Sequence, residues 1–328
     1  MKKYPLLFTG AFALAASLLS PSALGAEKRP VVGFLVIGTN NVYFMSCYHG
    51  AQKAAAELGV DLILGGPAEP DPARQDAIVD EWISRGVDAI AAACDDKDRL
   101  STALRRAGSR GVKVITYDAD AQADARAFFV NQATAESIGT ALMDDAARLC
   151  GGEGQYAMIT ANLTSANENG WRHWIDERNR TYPGIKMVAI RPCDDNIEKA
   201  RVETASLLKS YPDLKLIMAI CSPGVPGAAQ AVKEAGKEGQ VKVIGLGLPN
   251  ENKRYVHEGV TDNIILWRTE DLGSLTLRAA VALVKGSLKS GDQTLAAGSL
   301  GTFQIRGDQI LLGKPFVFDK GNIDQFDF

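Results

Sequence analysis

Histidine is scarce in this chain: His49, His173 and His257 are the only three in 328 residues. Few imidazoles leave little material for histidine-based proton transfer or metal ligation. There is no Gly-x-Ser-x-Gly elbow, no Gly-x-Gly-x-x-Gly after a strand and no phosphate loop. Asp118, Asp120 and Asp124 loosely match a calcium loop, but its glycine and closing glutamate are missing. A formal net charge of −3 supplies no basic patch, so nucleic acid is not an expected partner. The five cysteines, Cys47, Cys94, Cys150, Cys193 and Cys221, match no zinc spacing. No metal and no cofactor is expected.

What is present begins with an address. Lys2 and Lys3 precede an apolar run from Leu6 to Leu19, which Pro21 and Ser22 break before the small residues Ala23, Gly25 and Ala26. This is the order of a secretion signal, with cleavage expected near Gly25/Ala26. The run, about fourteen residues, falls short of the ~20 that a membrane span requires. Residues 1–25 are therefore set apart from the fold. No cysteine stands at the cut, so a lipid anchor is not indicated. An oxidising compartment permits disulfides, although an odd count leaves at least one thiol free. Cys47 follows the first strand and Cys94 ends the third, which would be neighbours in a doubly wound sheet. They are the expected bridge, the alternative being five buried thiols.

After the leader, short β-rich runs alternate with helical patterns. Val31 to Ile37 reads as a strand, and Phe44 to Leu58 as a helix with Ala51, Ala54, Ala55 and Leu58 on one face, stopped by Gly59. Strand and helix alternate in this way to Val130. A second cycle runs from the helix at Ala133 to a strand ending at Trp267, followed by a helix from Leu272 to Lys289 and a polar, glycine-rich tail. Alternation with apolar, two-sided strands implies parallel sheets covered on both faces. The predicted fold is α/β, with two doubly wound parallel-sheet lobes joined by a three-segment hinge. Residues 26–131 plus 268–298 form lobe 1, and residues 132–267 plus 299–328 form lobe 2. The crossings fall near Asn131, Trp267 and Gly298.

Ligands of such sheets bind beyond the carboxyl ends of the strands. That rule selects Asn41, Tyr43 and Phe44 after the first strand, and Asp118 and Asp120 after the strand ending at Tyr117. In the second lobe it selects Asn167, Glu168 and Asn169, then Ser222, then Trp267. Asn and Asp offer paired hydrogen-bond partners for hydroxyls, and Tyr43, Phe44 and Trp267 offer a flat wall for sugar C–H faces. Each choice has a plainer alternative. Asp118 could cap a turn, Phe44 could be core, and Asn167 to Asn169 could cap a helix. Trp171 is expected in the core.

At these residues the chain resembles periplasmic sugar-binding proteins of the ribose-binding type. Asn40-Asn41-Val42-Tyr43-Phe44 with Gly50-Ala51-Gln52 is similar to that family's first ligand loop, which contributes an Asn and stacks two aromatics on the sugar. Asp118 is similar to its ligand-binding Asp. Gly65 to Pro70, Asn131-Gln132-Ala133-Thr134, Tyr117 to Asp120, Leu266-Trp267 and Phe316 to Asp324 resemble the branch that contains the rhamnose and autoinducer-2 receptors. Where the autoinducer-2 receptors have a lysine near the end of the first strand, this chain has Ile37. Where ribose binders follow their Asp with Arg, it has Ala119.

The resemblance implies the substrate-binding component of an ABC import system, of the type I periplasmic binding fold. Such a protein is a periplasmic monomer that performs no chemistry and delivers its ligand to a membrane permease. A small sugar or polyol fits the site residues. The alternatives are an autoinducer-2-like signal receptor and a secreted carbohydrate-active enzyme, since carboxylates across a cleft can imitate a glycosidase pair.

Overall fold

A computed structural model describes residues 1–2 and 29–328. The expected leader and its cut near Gly25/Ala26 lie outside the described residues, apart from Met1 and Lys2. The first lobe opens with β1 (Val31–Leu35), α1 (Val42–Leu58), β2 (Asp61–Gly65), α2 (Pro72–Arg85) and β3 (Ala89–Ala92). It continues through α3 (Lys97–Ser109), β4 (Lys113–Tyr117) and β5 (Phe128–Asn131). These strands are parallel, in the order β2-β1-β3-β4-β5. Helices cover both faces, so central β3 (Ala-Ile-Ala-Ala) is buried along its whole length. Local chemistry sets the helix ends. Asp71 caps α2 by accepting from the amides of Ala73 and Arg74, Pro72 opens it, and Gly86 closes it in the left-handed conformation.

The second lobe repeats the pattern with α4 (Ala135–Cys150), β6 (Glu153–Thr160), α5 (Ala166–Asn179), β7 (Gly184–Pro192) and α6 (Ile197–Ser210). Then follow β8 (Leu214–Ala219), α7 (Gly224–Glu234), β9 (Lys242–Gly245), α8 (Pro249–Glu258) and β10 (Asn263–Leu266). Strands β7-β6-β8-β9 form a parallel sheet. Bridges Val243–Thr261 and Leu246–Ile265 carry it on to β10.

Helix α9 (Thr269–Val284) then packs against α1. The two backbones approach so closely that a Cβ at Gly50 would lie 1.8 Å from the Glu270 carbonyl oxygen, and one at Gly273 1.7 Å from that of Cys47. Only glycine permits this approach. The hydroxyls of Ser46 and Thr269, 2.5 Å apart, seal the same contact.

The tail corrects one expected boundary. It forms β11 (Thr294–Ala296), β12 (Thr302–Arg306), β13 (Gln309–Leu311) and β14 (Phe316–Asp319). Strand β13 pairs in parallel with β5, Ile310 opposite Val130, and β12 and β11 follow it antiparallel. Residues 299–311 therefore belong to the first sheet, not to lobe 2, and only β14 joins the second lobe, antiparallel to β10. The last crossing falls after Leu311 instead of near Gly298. Pairing covers what would otherwise be an open edge at β5.

The expected Cys47–Cys94 bridge is also corrected, by where the two thiols pack. Although β1 and β3 are neighbours, Cys47 packs in the core on the α1 side of the sheet and Cys94 in the core built by α2 and α3. The sheet separates them. The close pair is Cys193 and Cys221, whose sulfurs lie 3.3 Å apart.

Candidate functional site

The carboxyl ends of the strands in the two lobes face one another around a cavity of ≈ 890 Å³. Of the residues expected there, Asn41, Tyr43, Phe44, Asp118, Asn167, Glu168, Ser222 and Trp267 line it. Asn41 caps α1 by accepting from the Tyr43 amide at 2.9 Å, and it meets the Ser222 hydroxyl of the other lobe at 3.5 Å. Its position is thus fixed by the helix start, with an edge left for the cavity. The aromatic wall is Tyr43, Phe44 and Trp267, joined by Trp171, which is buried in the core as expected and also borders the cavity. Tyr43 stands edge-on to Phe44 and Trp267, with ring centroids 5.1 and 6.1 Å apart, and Trp171 lies 6.2 Å from Trp267.

A hydrogen-bond chain links this wall to Asp118. The Trp267 indole donates to the Tyr43 hydroxyl at 2.8 Å, and that hydroxyl donates to Asp118 Oδ1 at 2.6 Å. Asp118 is buried, and burial pushes its carboxyl up to about 6 against the opposing pull of the Tyr43 bond. Its backbone is left-handed, φ 59°, as are those of Asp194 and Asp195 at 50° and 52°. Among the described residues these are the three non-glycine positions with positive φ, and all three line the cavity. Asp tolerates that conformation better than most residues, and such backbone strain concentrates at functional sites.

Glu168 points inward but back towards its own lobe, accepting from the Thr160 hydroxyl and from the Ala161 amide at 2.9 Å. Burial first, then the neighbouring Asp195, pushes its carboxyl well up. Asn167 accepts from Ser165 Oγ at 2.6 Å.

Two expected site residues lie elsewhere. Asp120 is held by Arg126 in a two-pronged ion pair, with distances of 2.9 and 2.7 Å, and accepts from the Thr116 hydroxyl and the Ala121 amide. Its carboxylate is spent inside the first lobe. Asn169 donates to the Leu163 carbonyl and accepts from Arg172. Successive helical residues turn by about 100°, so Asn167, Glu168 and Asn169 cannot all face one cavity.

The strand-end rule does not select five lining carboxylates: Glu69, Asp95, Asp194, Asp195 and Glu198. A buried glutamine positions Asp95. Gln75 donates to the carbonyls of Val36 and Ala93, both at 2.9 Å, and accepts from the Asp95 amide at 3.1 Å. It ties the ends of β1 and β3 to the loop that carries Asp95.

Comparison with known proteins fits this architecture. Residues 32–288 match the family described as periplasmic binding protein domain, and the chain belongs to that family. The D-allose-binding periplasmic protein of Escherichia coli (strain K12) is 27% identical over 292 residues, 86% of this chain and 91% of that one. A solved ABC transporter solute-binding protein from Clostridium phytofermentas with bound L-rhamnose is 29% identical. It has a TM-score of 0.87 and covers 92% of this chain and 98% of its own. LsrB from Clostridium saccharobutylicum in complex with AI-2 is 26% identical, with a TM-score of 0.86 over 91% of this chain and 100% of its own. These relatives are binding proteins, not enzymes.

Proposed function

We propose that this protein is the periplasmic substrate-binding component of an ABC import system. It captures a small sugar or sugar alcohol between its lobes as a monomer and presents the closed form to a membrane permease. The observation that carries this reading is the two-sided lining of the cavity. Tyr43, Phe44, Trp171 and Trp267 form an apolar wall, while Asn41, Asp118, Asn167 and Ser222 offer hydroxyl-binding groups from both lobes. Only the closed form contacts a ligand from both sides, so ligand shifts the population towards closure. At the position of the autoinducer-2 receptors' lysine, Ile37 presents an apolar side chain to the cavity, which favours a sugar over that signal molecule.

The test is a thermal-shift screen of the purified protein against pentoses, hexoses, deoxyhexoses, polyols and autoinducer-2. A ligand at a hundred times its Kd adds about 2.7 kcal/mol of stability. At least one sugar or polyol raises Tm and is recovered unchanged after long incubation. A response to autoinducer-2 alone, or conversion of the ligand with turnover, overturns the reading.

A further inference from the structure

Seven carboxylates and a single ammonium, that of Lys199, line the cavity, with no arginine among the described lining residues. Four of those carboxylates have partners within the protein. Asp194 pairs with Lys199, Glu198 with Arg201, Glu69 accepts from Asn40, and Glu168 is held by Thr160 and Ala161. The other three have no cationic partner among the described residues: Asp95, Asp118 and Asp195. Among the described residues, Asp118 receives only the neutral Tyr43 hydroxyl, and the side chains of Asp95 and Asp195 receive no hydrogen bond. They come from opposite lobes, so closing the cleft gathers uncompensated negative charge in a space partly cut off from water. Such charge is costly unless a counter-charge enters or protons bind.

The electrostatics agree. Burial, followed by repulsion from Asp118 and then Asp95, pushes the Asp195 carboxyl up to about 7. Burial, then Asp96 and Asp71, pushes Asp95 to about 6. The described residues include no group of three or more acidic, His or Cys side chains arranged to hold a metal ion. At neutral pH a cationic ligand would supply the counter-charge that these carboxylates lack. Hydroxyl groups can satisfy the hydrogen bonds of three carboxylates but cannot neutralise them, whereas an ammonium does both.

We infer that the ligand of this cleft carries a cationic amine. It is an amino sugar or amino polyol, with the ammonium seated between Asp118 of the first lobe and Asp195 of the second and the aromatic wall against its carbon face. This rests on the reading of the cavity as a sugar or polyol site.

The test is calorimetric titration with matched pairs: D-glucose and D-glucosamine, D-galactose and D-galactosamine, sorbitol and 1-amino-1-deoxysorbitol. At pH 7 at least one amine binds ten-fold or more tightly than its hydroxyl counterpart. Its affinity falls as pH drops from 7 to 5, where the amine stays protonated but the carboxylates do not. Asp195→Asn, close in shape, removes most of the preference for the amine. Equal or better binding of the neutral partners overturns the inference and leaves sugar capture standing. An amine preference untouched by Asp195→Asn and by pH overturns the assigned seat. Failure of every amine and neutral compound here, and in the wider screen, overturns both.

A separate observation carries a second inference. Cys193 and Cys221 follow β7 and β8, are buried, and hold their sulfurs 3.3 Å apart. A disulfide needs ~2.05 Å, a small closing movement. The geometry points to a Cys193–Cys221 disulfide in the oxidised protein. Each thiol gives up its proton, and two electrons pass to a disulfide-bearing oxidant, which leaves as a dithiol. The bond would tie the segment carrying Asp194 and Asp195 to the one carrying Ser222. The test is thiol labelling of denatured protein secreted into an oxidising compartment, with peptide mapping. Three of the five cysteines label, the mapped pair is Cys193 with Cys221, and Cys193→Ser labels at all four remaining thiols. Five labelled thiols in the native sequence, or a different mapped pair, overturns it.

Discussion

Replacing Asp118 by asparagine separates what this residue does for the ligand from what it does to the fold. Asparagine keeps the shape, accepts the Tyr43 hydroxyl through its carbonyl oxygen and tolerates φ 59°. Alanine would lose that acceptor and strain the backbone as well. Only the charge is removed. A hydrogen bond to a charged group contributes about 1.5–3 kcal/mol, so affinity should fall roughly ten- to a hundred-and-fifty-fold. Stability should move the other way. The Asp118 carboxyl titrates at about 6 when folded, against about 3.9 in an unfolded chain. The native state therefore binds its proton more tightly than the unfolded state does. The group's contribution is most favourable below pH ~4 and is lost as pH rises through about 6. Two units correspond to at most about 3 kcal/mol above pH 7. The ligand-free Asp118→Asn protein should thus melt higher than the parent at pH 7.5 and about equal to it at pH 4. Calorimetry gives the affinity, and melting curves at the two pH values give the stability. Unchanged affinity would refute the placement of Asp118 in the site. A lower melting temperature at pH 7.5 would refute the argument that its charge is uncompensated.

Trp267→Phe keeps most of the wall but loses the indole donor to Tyr43. Affinity should weaken several-fold in titration, with about 1 kcal/mol of stability lost in denaturant melts. Arg126→Ala leaves Asp120 unpaired beside a nearly fully buried site. It should cost about 2–4 kcal/mol of unfolding free energy while affinity measured on the folded fraction stays within two-fold of the parent, near the loss expected for a broken buried pair. Gly50→Ala sets a methyl against the Glu270 carbonyl. It should force α1 and α9 apart at a cost of at least ~2 kcal/mol, read as a drop in Tm.

Much of this architecture is legible in the residues. Apolar strands such as Val31 to Leu35, and helices closed by Gly59, Gly86 and Gly259, follow local rules that tertiary structure did not override. The tail strands were not legible. β11 and β13 are three residues long and β12 alternates weakly, so their identity comes from pairing with β5, a partner nearly two hundred positions away. In the site, eight of the ten residues chosen by strand order line the cavity. The missed carboxylates carried a signal of their own. The tripeptide Cys-Asp-Asp occurs twice, at Cys94-Asp95-Asp96 and Cys193-Asp194-Asp195, each time just beyond a strand. An internal repeat in the two lobes would have pointed to Asp95 and to the Asp194-Asp195 pair together. Asp120 was misplaced because nothing local shows that Arg126, six residues on, closes back onto it.

The glycine contact between α1 and α9 also bears on how the chain assembles during synthesis. A chain emerging from its first residue exposes the α1 surface of the first lobe long before α9, more than two hundred residues later, arrives to cover it. The edge of β5 waits longer still for β13. The second lobe likewise stays without β14 until the last residues appear. Both halves are completed by late segments, so contacts of very long sequence separation finish the fold, the kind of topology that slows folding.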